Sequence, residues 1–214
     1  MSDSVRSLVP QARQFLSELS DNNTREWFTA HKARYEAELK QPALALLDIV
    51  SADLEKLTRS HVSTKLFRPY RDVRFSKDKT PYHTHLHMLW TAGGIGWFCG
   101  IAPDYFSAGA GVFGFDKDAL MRWREAVATP EGVNISSLIS ELTAKGARLD
   151  EPELKRVPPP HNKDHPRGDL LRRKGMAVWF DIDEGAIEKD GLTACIKTAF
   201  SELLPVQTTL RPLL

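Results

Sequence analysis

The stretch FRPYRDVRFSKDKTPYHTHLHMLW, Phe67 to Trp90, decides how the chain is read. From Phe67 to Phe75, alternation sets Arg68, Tyr70, Asp72 and Arg74 on one side and Phe67, Val73 and Phe75 on the other. From Tyr82 to Thr91, His83, His85 and His87 alternate with Leu86, Met88 and Trp90. A period of two is that of a half-buried strand. Both segments therefore read as strands of an antiparallel hairpin around the turn-rich Ser76–Pro81. Pairing Phe75 with Tyr82 sets Arg74 opposite His83, Asp72 opposite His85 and Tyr70 opposite His87. The other face then pairs Val73 with Thr84, Arg71 with Leu86 and Phe67 with Trp90. That register parts nearly all the polar groups from the apolar ones, and a slip of one residue would exchange the faces.

Upstream lie three helical patterns. Ala12, Phe15, Leu16 and Leu19 follow Pro10, a residue suited to a first helical turn. Asn23 with Glu26 three residues on makes a capping box for a second helix to about Leu39. Trp27, Phe28, His31, Tyr35 and Leu39 share its face, where His31 reads as semi-buried packing or as a site residue. Pro42 opens a third helix with Leu46, Leu47, Val50, Leu54 and Leu57 as its stripe. Downstream, Trp97–Ala102 and Tyr105–Phe113 read as two more strands. Gly109 and Gly111 in the second of these mark a bulge or a close approach of backbone to a ligand.

Helices return after Asp116 and from about Pro130 to Lys145. A proline-rich loop then runs from Asp150 to Gly168, followed by a strand from Met176 to Ile182 and a last helix from about Glu184 to Leu204. The order predicts an α+β fold, a largely antiparallel sheet flanked by N-terminal helices and by further helices after the central strands. One domain is expected over residues 1–214, because too few residues follow the proline loop to fold alone. The expected core includes Trp27, Phe28, Tyr35, Leu47, Leu54, Val73, Phe75, Leu86 and Trp90.

Composition bounds the function. A net charge of +1 argues against a surface built throughout for nucleic acid, so any basic patch is local. Cys99 and Cys195 are far apart and form no CxxC, so neither a disulfide framework nor a zinc site is expected. The N-terminal MSDSVRSLVPQ lacks the apolar run of a signal peptide, and no stretch approaches the roughly 18 apolar residues of a membrane span. A cytoplasmic protein away from membranes is expected. No Walker loop, GxSxG, HExxH or dinucleotide fingerprint occurs, so the sequence names no cofactor and no reaction, nor does it give an oligomeric state.

The polar side of the hairpin carries the chemistry. Guanidinium groups grip phosphate or carboxylate in a two-pronged fork. Arg68, Arg71 and Arg74, with Ser76, Lys77, Asp78, Lys79 and Tyr82, are therefore the expected ligand-binding residues. Directly opposed side chains start about 4.5–5.5 Å apart, within reach of a hydrogen bond from Asp72 to His85. Those two are the acid–base candidates. The same charges could instead brace the sheet as an Arg–Asp ladder. Strand rise spreads the three histidines over about 13 Å, too far for all to hold one metal ion, and no metal is expected. A second basic cluster, Lys155, Arg156, Lys163, Arg167, Arg172, Arg173 and Lys174, reads either as the other wall of a positive groove or as a solvated face. The expected partner is an anionic, phosphate-bearing small molecule, with a nucleic-acid or protein partner on the same basic surface as the alternative.

At RDVRFSKDKTPY the chain resembles the bacterial and fungal family known as domain of unknown function 2461. Asn22, Asn23, Trp27, Phe28, Lys32 and Tyr35 fit that family's NN…WF…K…Y pattern. Gly109, Gly111, the Arg156–Pro158 neighbourhood and LLRRKG at Leu170–Gly175 fit as well. The chain departs at His83, where the family commonly carries Lys, whereas His85 stands where the family has its own His. The resemblance spans nearly the whole chain and implies a single-domain protein, without implying an activity.

Overall fold

The computed structural model describes residues 3–214. Met1 and Ser2, part of the stretch read for a leader, lie outside the described residues. A short α1 (Asp3–Arg6) leads into α2 (Leu8–Asp21), which buries Leu8, Val9, Ala12, Phe15, Leu16 and Leu19 at the i, i+3, i+4 spacing of one helix face. α3 (Arg25–Arg34) is capped by Thr24, whose hydroxyl accepts from the Trp27 N–H at 3.2 Å. The expected cap, Asn23, has another task. Its side-chain amide donates to the Tyr82 carbonyl at 3.0 Å and its oxygen accepts from the Tyr82 N–H at 3.1 Å, as a neighbouring strand would.

The expected break before Pro42 is a π-helical turn, Tyr35–Lys40, that runs on into α4 (Gln41–Thr58). Proline brings no N–H to a helix, and the widened turn places Pro42 early in the new ladder, where that loss costs little. α4 buries Leu46, Leu47, Val50 and Leu54 and ends at Arg59 in the left-handed region.

The sheet contains β1 (Val62–Leu66), β2 (Leu86–Ala92), β3 (Ile95–Ile101) and β4 (Phe106–Val112). α5 (Lys117–Ala128) and α6 (Glu131–Ala144) follow, then β5 (Arg148–Leu149), α7 (Gly168–Leu171), β6 (Met176–Asp181), α8 (Glu184–Asp190) and α9 (Leu192–Leu210). Asp116 caps α5 as expected, accepting from the N–H groups of Asp118 and Ala119. All pairings are antiparallel and the strand order is β1-β2-β3-β4-β6-β5, which makes the fold α+β. The last helical region differs from expectation. Gly191, at φ +88°, separates α8 from α9, and α9 continues through Pro205 to Leu210.

Residues paired across antiparallel strands share a face. One face carries Leu86, Met88 and Trp90, then Trp97, Cys99 and Ile101, then Ala108 and Ala110, and Val178, all buried. α4 and α9 pack on it. The Trp90 Nε1–H donates to the Leu47 carbonyl at 2.9 Å, and Phe200 meets the rings of Trp90 and Trp97 edge-on. The second face carries two rows that cross the sheet. One is His87, Gly100, Ser107 and Asp181; the other is Leu89, Phe98, Gly109, Trp179 and Arg148.

The hairpin of residues 67–90 forms in another register. Its first strand lies upstream, in β1, and Phe67–Phe75 is not a strand. Tyr70 bridges Tyr82 rather than facing His87, Arg71 N–H donates to the Pro81 carbonyl, and His83 N–H donates to that of Pro69. Pro69 and Pro81 cannot donate to a ladder. Asp72 and Asp78 take the Arg74 and Thr80 N–H groups onto their own side chains, which turns the backbone locally. The apolar residues of this loop consequently miss the core. Phe75 is 95% exposed and Val73 half-buried. Phe28, Tyr35, Leu47, Leu54, Leu86 and Trp90 are buried, and Trp27 packs half-buried against Phe15.

Candidate ligand-binding site

The three histidines do lie together. The expected strand from Tyr82 begins only at Leu86, and the chain bends at Thr84 and His85. Even so, His85 stacks on His87 with centroids 3.7 Å apart, and His83 tilts against His85 at 4.7 Å. His87 Nε2 lies 2.8 Å from the Tyr105 hydroxyl. Burial, and then the neighbouring imidazoles, push His85 and His87 down to about 4. His83 is lowered too, first by burial and then by the guanidinium charges of Arg71 and Arg68. No carboxylate bonds any of the three among the described residues. The row is thus uncharged at neutral pH, and its outer end meets cations.

Asp72 is not beside His85. Its carboxylate is gripped by Arg74, through Nε at 2.9 Å and Nη2 at 2.7 Å, and this guanidinium is the first cause of its lowered pKa. The expected Asp72–His85 dyad therefore does not form, and the acid–base assignment built on it falls. Arg71 is also engaged. It donates to Asp78 at 2.5 Å and to the Thr80 hydroxyl and carbonyl. Asp78, pushed down to about 2 by the Thr80 N–H, the Arg71 guanidinium and the Thr80 hydroxyl, is a staple of the loop. Lys79 donates to the Val73 carbonyl at 2.9 Å. Ser76 N–H donates to the same carbonyl, and Tyr82 stacks on Phe28 at 4.1 Å. Arg68 and Lys77 make no hydrogen bond or ion pair among the described residues.

Three members of the second basic cluster brace the scaffold. Arg167 donates to the carbonyls of Val127, Ala128 and Thr129 at the end of α5, where a cation is favoured. Arg172 and Arg173 bind Asp169, and Arg173 also reaches the Asp150 carbonyl.

A cavity of about 260 Å³ opens beside His87, a feature absent from the sequence reading. Phe67, Phe98, Phe113 and Trp179 line it, together with Tyr105 and Arg148. Its floor depends on glycine. A Cβ at Gly109 would lie 2.4 Å from the Trp179 ring, and one at Gly100 would press on both His87 and Tyr105. Neither Gly109 nor Gly111 marks the expected bulge, since the register runs unbroken through both; Gly109 lies against the Trp179 ring and Gly111 against the Met176 backbone. At the polar end Arg148 donates to Asp181 at 2.8 and 3.1 Å, and Ser107 donates to Asp181 at 2.5 Å. The Trp179 indole N–H reaches Asp150 at 3.2 Å. Arg148 lies in a two-residue strand, too short to show as periodicity.

Among the described residues no group of three His, Cys, Asp or Glu side chains is placed to hold a metal ion, and no helix is long and apolar enough to cross a membrane. No curated protein sequence and no solved structure shows significant similarity to the chain. The family described as "Conserved hypothetical protein (DUF2461)" matches residues 11–208. That span takes in most of α2, all of α3 and α4, the entire sheet and nearly all of α9, and the chain belongs to the DUF2461 family.

Proposed function

We propose that the chain binds an anionic, phosphate-bearing ligand where the histidine row meets Arg68. One observation carries this reading. Three adjoining imidazoles, His85 stacked on His87 and His83 tilted against His85, have no carboxylate partner among the described residues and end beside guanidinium groups, of which Arg68 makes no hydrogen bond or ion pair there. An anion would supply the missing negative charge and favour the protonated imidazoles. Binding should then take up protons near pH 6. Calorimetry with inorganic phosphate and ribose 5-phosphate, in buffers of different ionisation heat, measures this uptake. Arg68→Ala and His85→Gln should each weaken binding severalfold. The absence of saturable binding, or an affinity unchanged from the native chain in both variants, would refute the reading.

A nucleic-acid strand is the second reading, favoured by the loop itself. Phe67, Tyr70 and Phe75 are exposed and interleave with Arg68, Arg71 and Arg74. Bases stack on such rings while cations follow the backbone. Affinity for generic oligonucleotides that falls steeply with salt would favour this reading over the small ligand.

A further inference from the structure

The cavity beside His87 has no part in anion binding as described, yet the histidine row begins in its wall. We propose that it receives the planar nitrogen heterocycle of a nucleotide, whose phosphate extends along the row towards Arg68. The phosphate end rests on the anion reading above; the ring end does not.

Shape carries the first part of the argument. Phe98, Phe113 and Trp179 converge, with centroids 4.0 Å apart for Phe98–Phe113, 5.5 Å for Phe113–Trp179 and 5.6 Å for Phe98–Trp179. Phe113 is 56% exposed, beside the half-buried Trp179 and the buried Phe98. Flat faces of this kind prefer flat partners. Pockets that swallow whole drug-sized ligands hold about 300–1,000 Å³. At about 260 Å³ this one suits a single fused ring, and the sugar and phosphate would have to lie outside.

Charge carries the second part. The polar end holds one guanidinium, Arg148, between the carboxylates of Asp150 and Asp181, so it carries no surplus positive charge for a phosphate. Carboxylates accept hydrogen bonds only, and among the described residues the Asp150 side chain receives just the Trp179 indole and a long contact from Arg148. Its free lone pairs suit the N–H edge of a base. The positive charge lies at the other end, with Arg68 and Arg71 beside His83. A ligand with a donor-edged ring at one end and a phosphate at the other matches both.

The test titrates the full chain with AMP, GMP, CMP and UMP, with the four nucleosides, and with ribose 5-phosphate. Calorimetry gives affinity and tryptophan fluorescence reports the ring. At least one nucleotide should bind about tenfold or more tighter than ribose 5-phosphate, and quench fluorescence. Phe113→Ala, at an exposed position, should remove that advantage and leave ribose 5-phosphate unchanged. Trp179→Phe should abolish the quench while keeping the affinity, as Trp90, Trp97 and Trp123 are fully buried and Trp27 packs on Phe15 and His31, outside the cavity lining. Nucleosides that bind while ribose 5-phosphate does not would uphold the ring pocket and refute the anion site. Nucleotides no tighter than ribose 5-phosphate would overturn the ring pocket and leave the anion site standing. Binding of none would overturn both.

Discussion

His85 and His87 show what a residue's neighbours do to it. An imidazole in the unfolded chain titrates near 6.5, and both are held at about 4 in the fold. Between these values the unfolded chain binds more protons. Their contribution to stability is therefore complete above about pH 6.5 and is lost as pH falls towards 4. Thermal unfolding from pH 7 to 4.5 should show this decline, the double variant His85→Gln/His87→Gln should flatten it, and phosphate should blunt it. Packing gives a second contrast. Phe28 is buried against Phe15, Tyr35 and Tyr82, and Phe28→Ala should cost about 3–5 kcal/mol in urea unfolding. Phe75→Ala should change stability by less than about 0.5 kcal/mol. Both residues stood in the expected core, Phe28 on a helical face and Phe75 on a strand alternation that does not form. That the histidines lie together was legible from their spacing, although only His87 sits in β2 and the chain bends at Thr84 and His85. The partner of Asp72 was not, since a guanidinium two residues away won it from an imidazole across the hairpin.

At the scale of elements, the long helices and the strands β3, β4 and β6 could be read to within a few residues, because each has a buried face. β1 could not. Its pattern VSTKL buries only Val62, so an edge strand passed for a connection. The aromatic alternation just beyond it belonged instead to a loop held by side chains. One tie between elements can be tested directly. Asn23, at the entry to α3, holds both backbone groups of Tyr82. Asn23→Ala should strand these groups and cost about 1–3 kcal/mol. Hydrogen exchange of the Tyr82 amide should quicken in the variant before that of β3 amides does. Equal protection at Tyr82 would show that the loop is held by other means. The pocket was the least legible element of all, since its rings come from β3, β6 and the segments beside β1 and β4.

In the whole molecule, the α+β class followed from the order of elements, but the strand order did not. β6 crosses back to lie between β4 and β5, and α9 packs on β4. Limited proteolysis within residues 150–168 should therefore give two fragments that stay together under native conditions. A C-terminal fragment that separates and remains folded would show instead that the chain comprises two domains. The same placement of β6 bears on synthesis. When β4 leaves the ribosome its outer edge has no neighbour until roughly 60 more residues are made, about 3–12 s at 5–20 residues per second. An open edge of that kind invites pairing with the wrong chain. β4 reads FSAGAGV, rich in glycine and alanine and almost without β-branched residues. Such a strand pairs weakly by itself. The composition that lets Trp179 lie flat over Gly109 in the finished protein would also keep the nascent chain from sticking to its neighbours on a crowded polysome.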